Sequence, residues 1–376
     1  MVEVHGFCDE RFRELEALYR SDVEADGGRG SSLAATLHGV AVVDLWGGTR
    51  DAEMTLPWEA DTVVRVFSTS KVPVIVAVLM LVDRGLLDLD APIAKYWPEF
   101  ARNGKGAVTS RQVLVHRSGL PGFGRPFSSV EMADWGLAIS ALEDAALWYE
   151  PGTTSCYHAH TFGFLLGELI QRVAGTPFVD FVCGEVLAPL GADFHFTLPS
   201  PVDQARVAAL WPPAVMPPID SPMANAVLDE LTTRNDAGTT ASLTRLHPGG
   251  CGLTNAGALA RLGAMLAMGG ELDGHRYLGR ATVEEAASEQ SFAIDEMFGP
   301  CRYGLGFGLH SDEFPAPTPG AFHWGGVGGS FVTMDMVSEV SCAFTPSLMQ
   351  VVMDRGAEPR QKALWATLGD ICGRLT

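Results

Sequence analysis

The sequence predicts an α/β chain of the α+β kind. An antiparallel sheet is assembled from both ends of the chain and flanked by helices, and a helical subdomain is inserted between those ends. Three observations carry this expectation. Apolar runs of strand length stand at 32–45 and recur from Gly304 onward. The intervening stretch, Leu86 to about Pro248, is mostly helical in pattern, with Pro- and Gly-rich breaks. The 376 residues, 47% hydrophobic and 19% charged, describe a well-buried globular chain with room for two subdomains. A single catalytic domain over 1–376 is expected, with 1–75 and 245–376 forming the α/β subdomain and 76–244 the helical one. Ligands tend to bind in a cleft at such a junction.

In chain order, residues 12–25 form an amphipathic helix with Leu15, Leu18 and Tyr19 on one face. Two antiparallel strands follow at 32–37 and 40–45, split by His38-Gly39 and closed by Gly47-Gly48. The apolar run 72–82 is a helix ending at Arg84-Gly85, a C-cap signature. Clear helices are expected at 109–116 and 162–173. The proline-rich stretch 199–218 is an irregular surface loop whose aromatic and apolar residues could form a lid or acceptor pocket. A helix at 255–268 precedes strands from Gly304 on; the last strand, 342–353, leads into a final helix, 359–372.

A net charge of −19 with no basic run excludes nucleic acid as a partner, because phosphate binding needs clustered Lys and Arg. The seven scattered cysteines contain no Cys-x-x-Cys pair and suggest free thiols in a reducing compartment. The N-terminus lacks the pattern of a secretory signal, and no apolar stretch reaches the roughly 20 residues a bilayer needs. A cytoplasmic location without membrane association is therefore expected.

The chemistry is concentrated in Phe67-Ser68-Thr69-Ser70-Lys71-Val72. On a helix, the i,i+3 spacing puts Ser68 and Lys71 on one face with Cβ atoms about 5–6 Å apart. Burial disfavours the ammonium and lowers the lysine pKa toward that of a useful base. The pair reads as a serine nucleophile with a lysine base. The competing reading is a helix N-cap serine followed by a snorkelling lysine, and the four-residue pattern alone does not separate the two.

Four further segments stand beside this pair in order: His116-Arg117-Ser118-Gly119-Leu120-Pro121, Pro151 to Ala159 with Tyr157, Pro248 to Thr254, and Phe322-His323-Trp324-Gly325-Gly326-Val327-Gly328-Gly329-Ser330. Together they resemble the serine β-lactamase/penicillin-binding-protein-like family, nearest its class C-type family VIII carboxylesterases and related acyltransferases. The resemblance covers roughly residues 30–355 and implies a β-lactamase-like fold. It implies Ser68 as acyl-accepting nucleophile, Lys71 as its base partner and Tyr157 as the tyrosine that relays the proton to the leaving group. A nearby lysine cation would lower that phenol from its ordinary pKa near 10. By the same match the backbone N–H groups of Ser68 and Val327 form the oxyanion hole. Trp324, Gly325, Gly326 and His323 line the substrate site, His323 alternatively being a supporting or a satisfied surface histidine.

Two departures bear on substrate. Trp324-Gly325-Gly326 stands where β-lactamases place Lys-Thr-Gly, so the cation that would grip a β-lactam carboxylate is replaced by an indole. Tyr157-His158-Ala159 stands where Tyr-x-Asn is usual, so the amide-holding asparagine is gone. His158 and His160 lack a third ligand at a recognised spacing, so neither a metal nor any other cofactor is expected. No Gly-x-Ser-x-Gly elbow occurs, and no glycine-rich phosphate loop follows a strand. The resulting expectation is a serine hydrolase acting on a small-molecule ester or acyl donor. Its alternative is an acyltransferase in which an amine or alcohol intercepts the acyl-enzyme. A non-catalytic ligand binder, and a β-lactam or D-peptide hydrolase, stand further back.

Overall fold

The computed structural model describes residues 2–198, 200–212, 219–230, 240–350 and 358–375. Among these, nine strands form one antiparallel sheet: β1 (Val4–Cys8), β2 (Ser31–Leu37), β3 (Val40–Gly47), β4 (Ser291–Asp295), β5 (Gly299–Tyr303), β6 (Gly308–Leu309), β7 (Phe322–Gly325), β8 (Phe331–Asp335) and β9 (Val340–Pro346). Their spatial order is β1-β3-β2-β9-β8-β7-β6-β5-β4. The sheet is thus assembled from both ends of the chain, with β9 joining the N-terminal hairpin to the C-terminal meander. The hairpin turns at His38 and Gly39, both left-handed at φ 51° and 76°; a tight turn of this hand follows the strands' own twist.

Helices cover both faces. Every residue of β2 is buried, as expected of a strand covered on two sides. Leu33, Ala35, Phe331 and Phe344 face α1 (Arg13–Ala25) and the C-terminal helix Pro359–Leu375. Alternate residues, Ala34, Val332, Met334 and Ala343, face a second core that includes the helices Lys71–Asp83 and Ala256–Ala267. Lys71–Asp83 is buried all round from Lys71 to Leu81, which marks a core helix and not a surface one. Pro73 lies in its first turn, where a missing N–H is tolerated.

Most expected helices are present within a residue or two: Ser110–Leu114 opens on a Thr109/Gln112 capping box, and Thr161–Ala174 ends at left-handed Gly175. Three strands of this sheet escaped the sequence reading. β1 is an edge strand with no apolar run, and β4 and β5 form an edge hairpin in which Phe292 and Ile294 are exposed while Ser291 and Asp295 are buried, so apolar residues do not mark its inner face. The last sheet strand ends at Pro346; the expected extension to Met353 passes Gln350, beyond which 351–357 lie outside the described residues. A small sheet joins Val64–Arg65, Leu253–Thr254 and Phe194–His195, so segments from both sides of the expected subdomain boundaries share hydrogen bonds. Residues 199 and 213–218 of the expected lid loop lie outside the described residues. The described part is docked by backbone bonds from Ala209 to Arg50 and from Trp211 to Ser347. No single helix among the described residues is long and apolar enough to cross a membrane.

Candidate active site

Ser68 sits on a 3-10 turn, Phe67–Ser70, between the short strand Val64–Arg65 and the helix that starts at Lys71. Phe67 has φ +46°, a left-handed value costly for a large side chain. That corner is held from both sides. Val66 donates its N–H to the Gly252 carbonyl (2.9 Å), and Gly252 donates to Ser70 Oγ (2.8 Å). Ser70 is fully buried and its hydroxyl also donates to the Phe67 carbonyl, so it braces the turn. Ser68 is half-buried and its hydroxyl faces the lysine.

Lys71 Nζ lies 3.3 Å from Ser68 Oγ, 3.2 Å from the Ala159 carbonyl and 2.9 Å from the Gly249 carbonyl. The side chain is 0% exposed. Burial alone pushes its pKa from 10.5 down to about 7, with no carboxylate contributing. Gly163, at the start of the helix Thr161–Ala174, permits the Gly249 carbonyl to come this close: a Cβ there would stand 2.4 Å from the Gly249 nitrogen.

Tyr157 is also buried, and its phenol faces the Ser68 side chain. Its ring lies 5.0 Å from Lys71 Nζ. Burial raises the phenol above its ordinary value of 10. This corrects the expectation that a lysine cation lowers it: the amine itself is desolvated toward neutrality, so no full positive charge is available to do so.

His116, Tyr303, Trp324 and Phe298 pack around Tyr157 as an aromatic wall. His116 stands 4.8 Å from Tyr157, Phe298 5.0 Å and Trp324 6.0 Å, ring centre to ring centre. Tyr303 meets His116 edge-on (5.3 Å) and lies tilted against Trp324 (6.3 Å). His116 packs within the site and accepts the His158 N–H at Nδ1 (3.2 Å). His158 is satisfied by Ser118 (2.6 Å) and the Cys156 carbonyl (2.7 Å), which makes it a structural residue. Among the described residues no group of three or more His, Cys, Asp or Glu side chains is arranged to hold a metal.

Gly326 follows β7 and meets the Phe67–Ser70 turn edge-on. A Cβ on it would lie 2.1 Å from the Val66 carbonyl oxygen, so only glycine fits. Ser330 Oγ donates to that same carbonyl (2.8 Å) and contacts Thr69 Oγ1 (3.0 Å), which pins the 326–330 turn to the segment that carries Ser68. His323 requires a correction. Strand alternation sends Trp324 to the face of Tyr157 but sends His323 to the opposite face. There it is buried between Phe314 (5.2 Å) and Trp365 (4.6 Å), with no role in lining the site. Sequence reasoning also missed the carbonyls of Ala159 and Gly249, since main-chain acceptors leave no residue-type signal. It missed Phe298 because that residue belongs to the unrecognised edge hairpin.

The chain matches the Beta-lactamase family over residues 15–366. It is 32% identical over 365 residues to Esterase/beta-lactamase LipL of Mycobacterium tuberculosis, covering 90% of this chain and 82% of that one. Esterase EstB of Burkholderia gladioli is 29% identical over 333 residues, covering 80% and 81%. Among solved structures, a family VIII carboxylesterase superposes with a TM-score of 0.90 at 30% identity, over 100% of both chains.

Proposed function

The chain belongs to the Beta-lactamase family, and from that premise we propose that it is a serine carboxylesterase working through an acyl-enzyme on Ser68. The observation that carries this reading is the setting of Lys71. A neutral amine has two N–H bonds and one lone pair. The Ala159 and Gly249 carbonyls take the two N–H bonds, which leaves the lone pair for the Ser68 hydroxyl at 3.3 Å. In the proposed step Ser68 Oγ attacks the ester carbonyl carbon and its proton passes to Lys71 Nζ. The carbonyl oxygen becomes an oxyanion facing the backbone N–H groups of Ser68 and Val327. On collapse the C–O bond to the alcohol breaks, Tyr157 gives the departing oxygen a proton, and Lys71 returns one to Tyr157. Water then repeats the sequence in reverse roles and releases the acid.

The aromatic wall of Trp324, Tyr303 and Phe298 favours small neutral esters, since the indole of Trp324 stands at the sequence position where β-lactamases carry the cation for a β-lactam carboxylate. The relatives named as esterases support the ester reading. The test is a p-nitrophenyl short-chain ester and a cephalosporin run side by side, with intact-mass mapping of the adduct. Ester turnover with an acyl group on Ser68, lost in Ser68→Ala, is expected. An adduct on Ser70, or cephalosporin turnover without ester cleavage, refutes the proposal. Adding an amine or alcohol to the same assay reads transfer directly, and diversion of product to amide or new ester would identify an acyltransferase.

A further inference from the structure

Asp295 closes β4 at the outer edge of the sheet and is 2% exposed. Three donors hydrogen-bond to its carboxylate, Ser155 Oγ (2.8 Å), the N–H of Met297 (2.9 Å) and the N–H of Phe298 (3.3 Å), and the N–H of Tyr157 faces it. Burial pushes this carboxyl above its usual value, and the hydroxyl and amide donors, with no cation among them, pull the other way by holding the anion. A buried charge without a counter-ion is expensive unless such donors are there to hold it. The same junction carries a backbone bond from Glu296 N–H to the Ser155 carbonyl (2.9 Å). Residues 155–157 are thereby clamped to 295–298, and the clamp also sets the Phe298 ring against Tyr157.

We infer that Asp295 is a positioning residue, which fixes the main chain at Tyr157 so that the phenol stays on Ser68. The inference rests on Tyr157 acting as proton carrier. The Tyr157 phenol is faced by Ser68 and Lys71 from the nucleophile segment, by His116 from its loop, by Tyr303 from β5 and by Asp295 from β4. Of these, the Asp295 charge disfavours tyrosinate and so helps to keep the hydroxyl protonated.

The test is a double-mutant cycle. Asp295→Asn keeps the shape but removes the charge and places an NH2 group among donors. It is expected to lower kcat about 100-fold with KM within about 2-fold, the scale of misplacing a proton-transfer group. In a Tyr157→Phe background the same change should cost under about 3-fold, because the group through which it acts is gone. The alkaline limb of kcat/KM should also move to lower pH in Asp295→Asn. A loss below about 3-fold in the single variant, or the full loss repeated on top of Tyr157→Phe, overturns the positioning role alone. Wild-type activity in Tyr157→Phe overturns the Tyr157 reading and the inference with it. Should Asp295→Asn fail to fold, Ser155→Ala keeps the carboxylate and removes one donor. A loss of about 5-fold, absent in Tyr157→Phe, is then expected, and equal losses in both backgrounds refute the inference.

Discussion

Replacing Lys71 with methionine should abolish activity and, at low pH, stabilise the protein. The reason is the buried amine. In the unfolded chain it titrates near 10.5, whereas in the folded chain burial lowers it to about 7. Between those values the unfolded chain binds more protons than the folded one, so wild-type stability rises with pH across that window. Integrated from pH 6 to pH 9, this single group contributes a rise of about 3 kcal/mol. Methionine has nothing to titrate and forfeits the two carbonyl hydrogen bonds at every pH alike. The difference in unfolding free energy between Lys71→Met and wild type should therefore favour the variant by about 3 kcal/mol more at pH 6 than at pH 9. Urea unfolding of both proteins at the two pH values measures it, and groups common to both cancel. The acid limb of wild-type kcat/KM should fall near pH 7, reporting the same amine. A stability difference flat to within about 0.5 kcal/mol would refute the view that Lys71 is a desolvated, largely neutral base at catalytic pH.

Three further outcomes are expected. Lys71→Arg should lose activity about 1,000-fold in ester turnover, since guanidinium does not release its proton; substantial residual turnover would exclude Lys71 as base. Gly326→Ala should lower kcat/KM about 100-fold, because a Cβ 2.1 Å from the Val66 carbonyl must displace the turn from the nucleophile segment; unaltered kinetics would show that the turn can yield without consequence. His323→Leu should leave kcat/KM within about 2-fold, as that side chain lies across the sheet from Trp324; a tenfold loss would return His323 to the site.

The Ser68–Lys71 contact was readable because its signal is local. Ser68 and Lys71 are three residues apart, and the apolar run behind them is long enough to demand burial. The chain has a second fully buried lysine, Lys105, whose amine donates to the Glu143 and Ala145 carbonyls. Composition cannot distinguish it from Lys71; the spacing to a serine can. What stayed hidden was non-local. The face of His323 depends on the register of β7, and one residue of slip would exchange it with Trp324. Asp295 reaches Tyr157 only because an edge hairpin without an apolar run folds beside it. The direction in which Tyr157 is shifted also depends on burial, which the motif does not encode.

The position of β9 in the sheet has a consequence for how the molecule comes into being. It is the final sheet strand to leave the ribosome, yet it lies between β2, made near the beginning, and β8. More than 290 residues separate paired partners such as Leu33 and Phe344, so their ladder must wait until almost the whole chain exists. Until then the β2–β3 hairpin has an open edge whose residues are all destined for burial. Such long-range closure folds slowly and leaves a sticky edge exposed in the meantime. During synthesis the β2 edge is therefore where a chaperone would have most to cover. A ribosome stalled before residue 340 would hold an N-terminal hairpin that cannot complete its sheet.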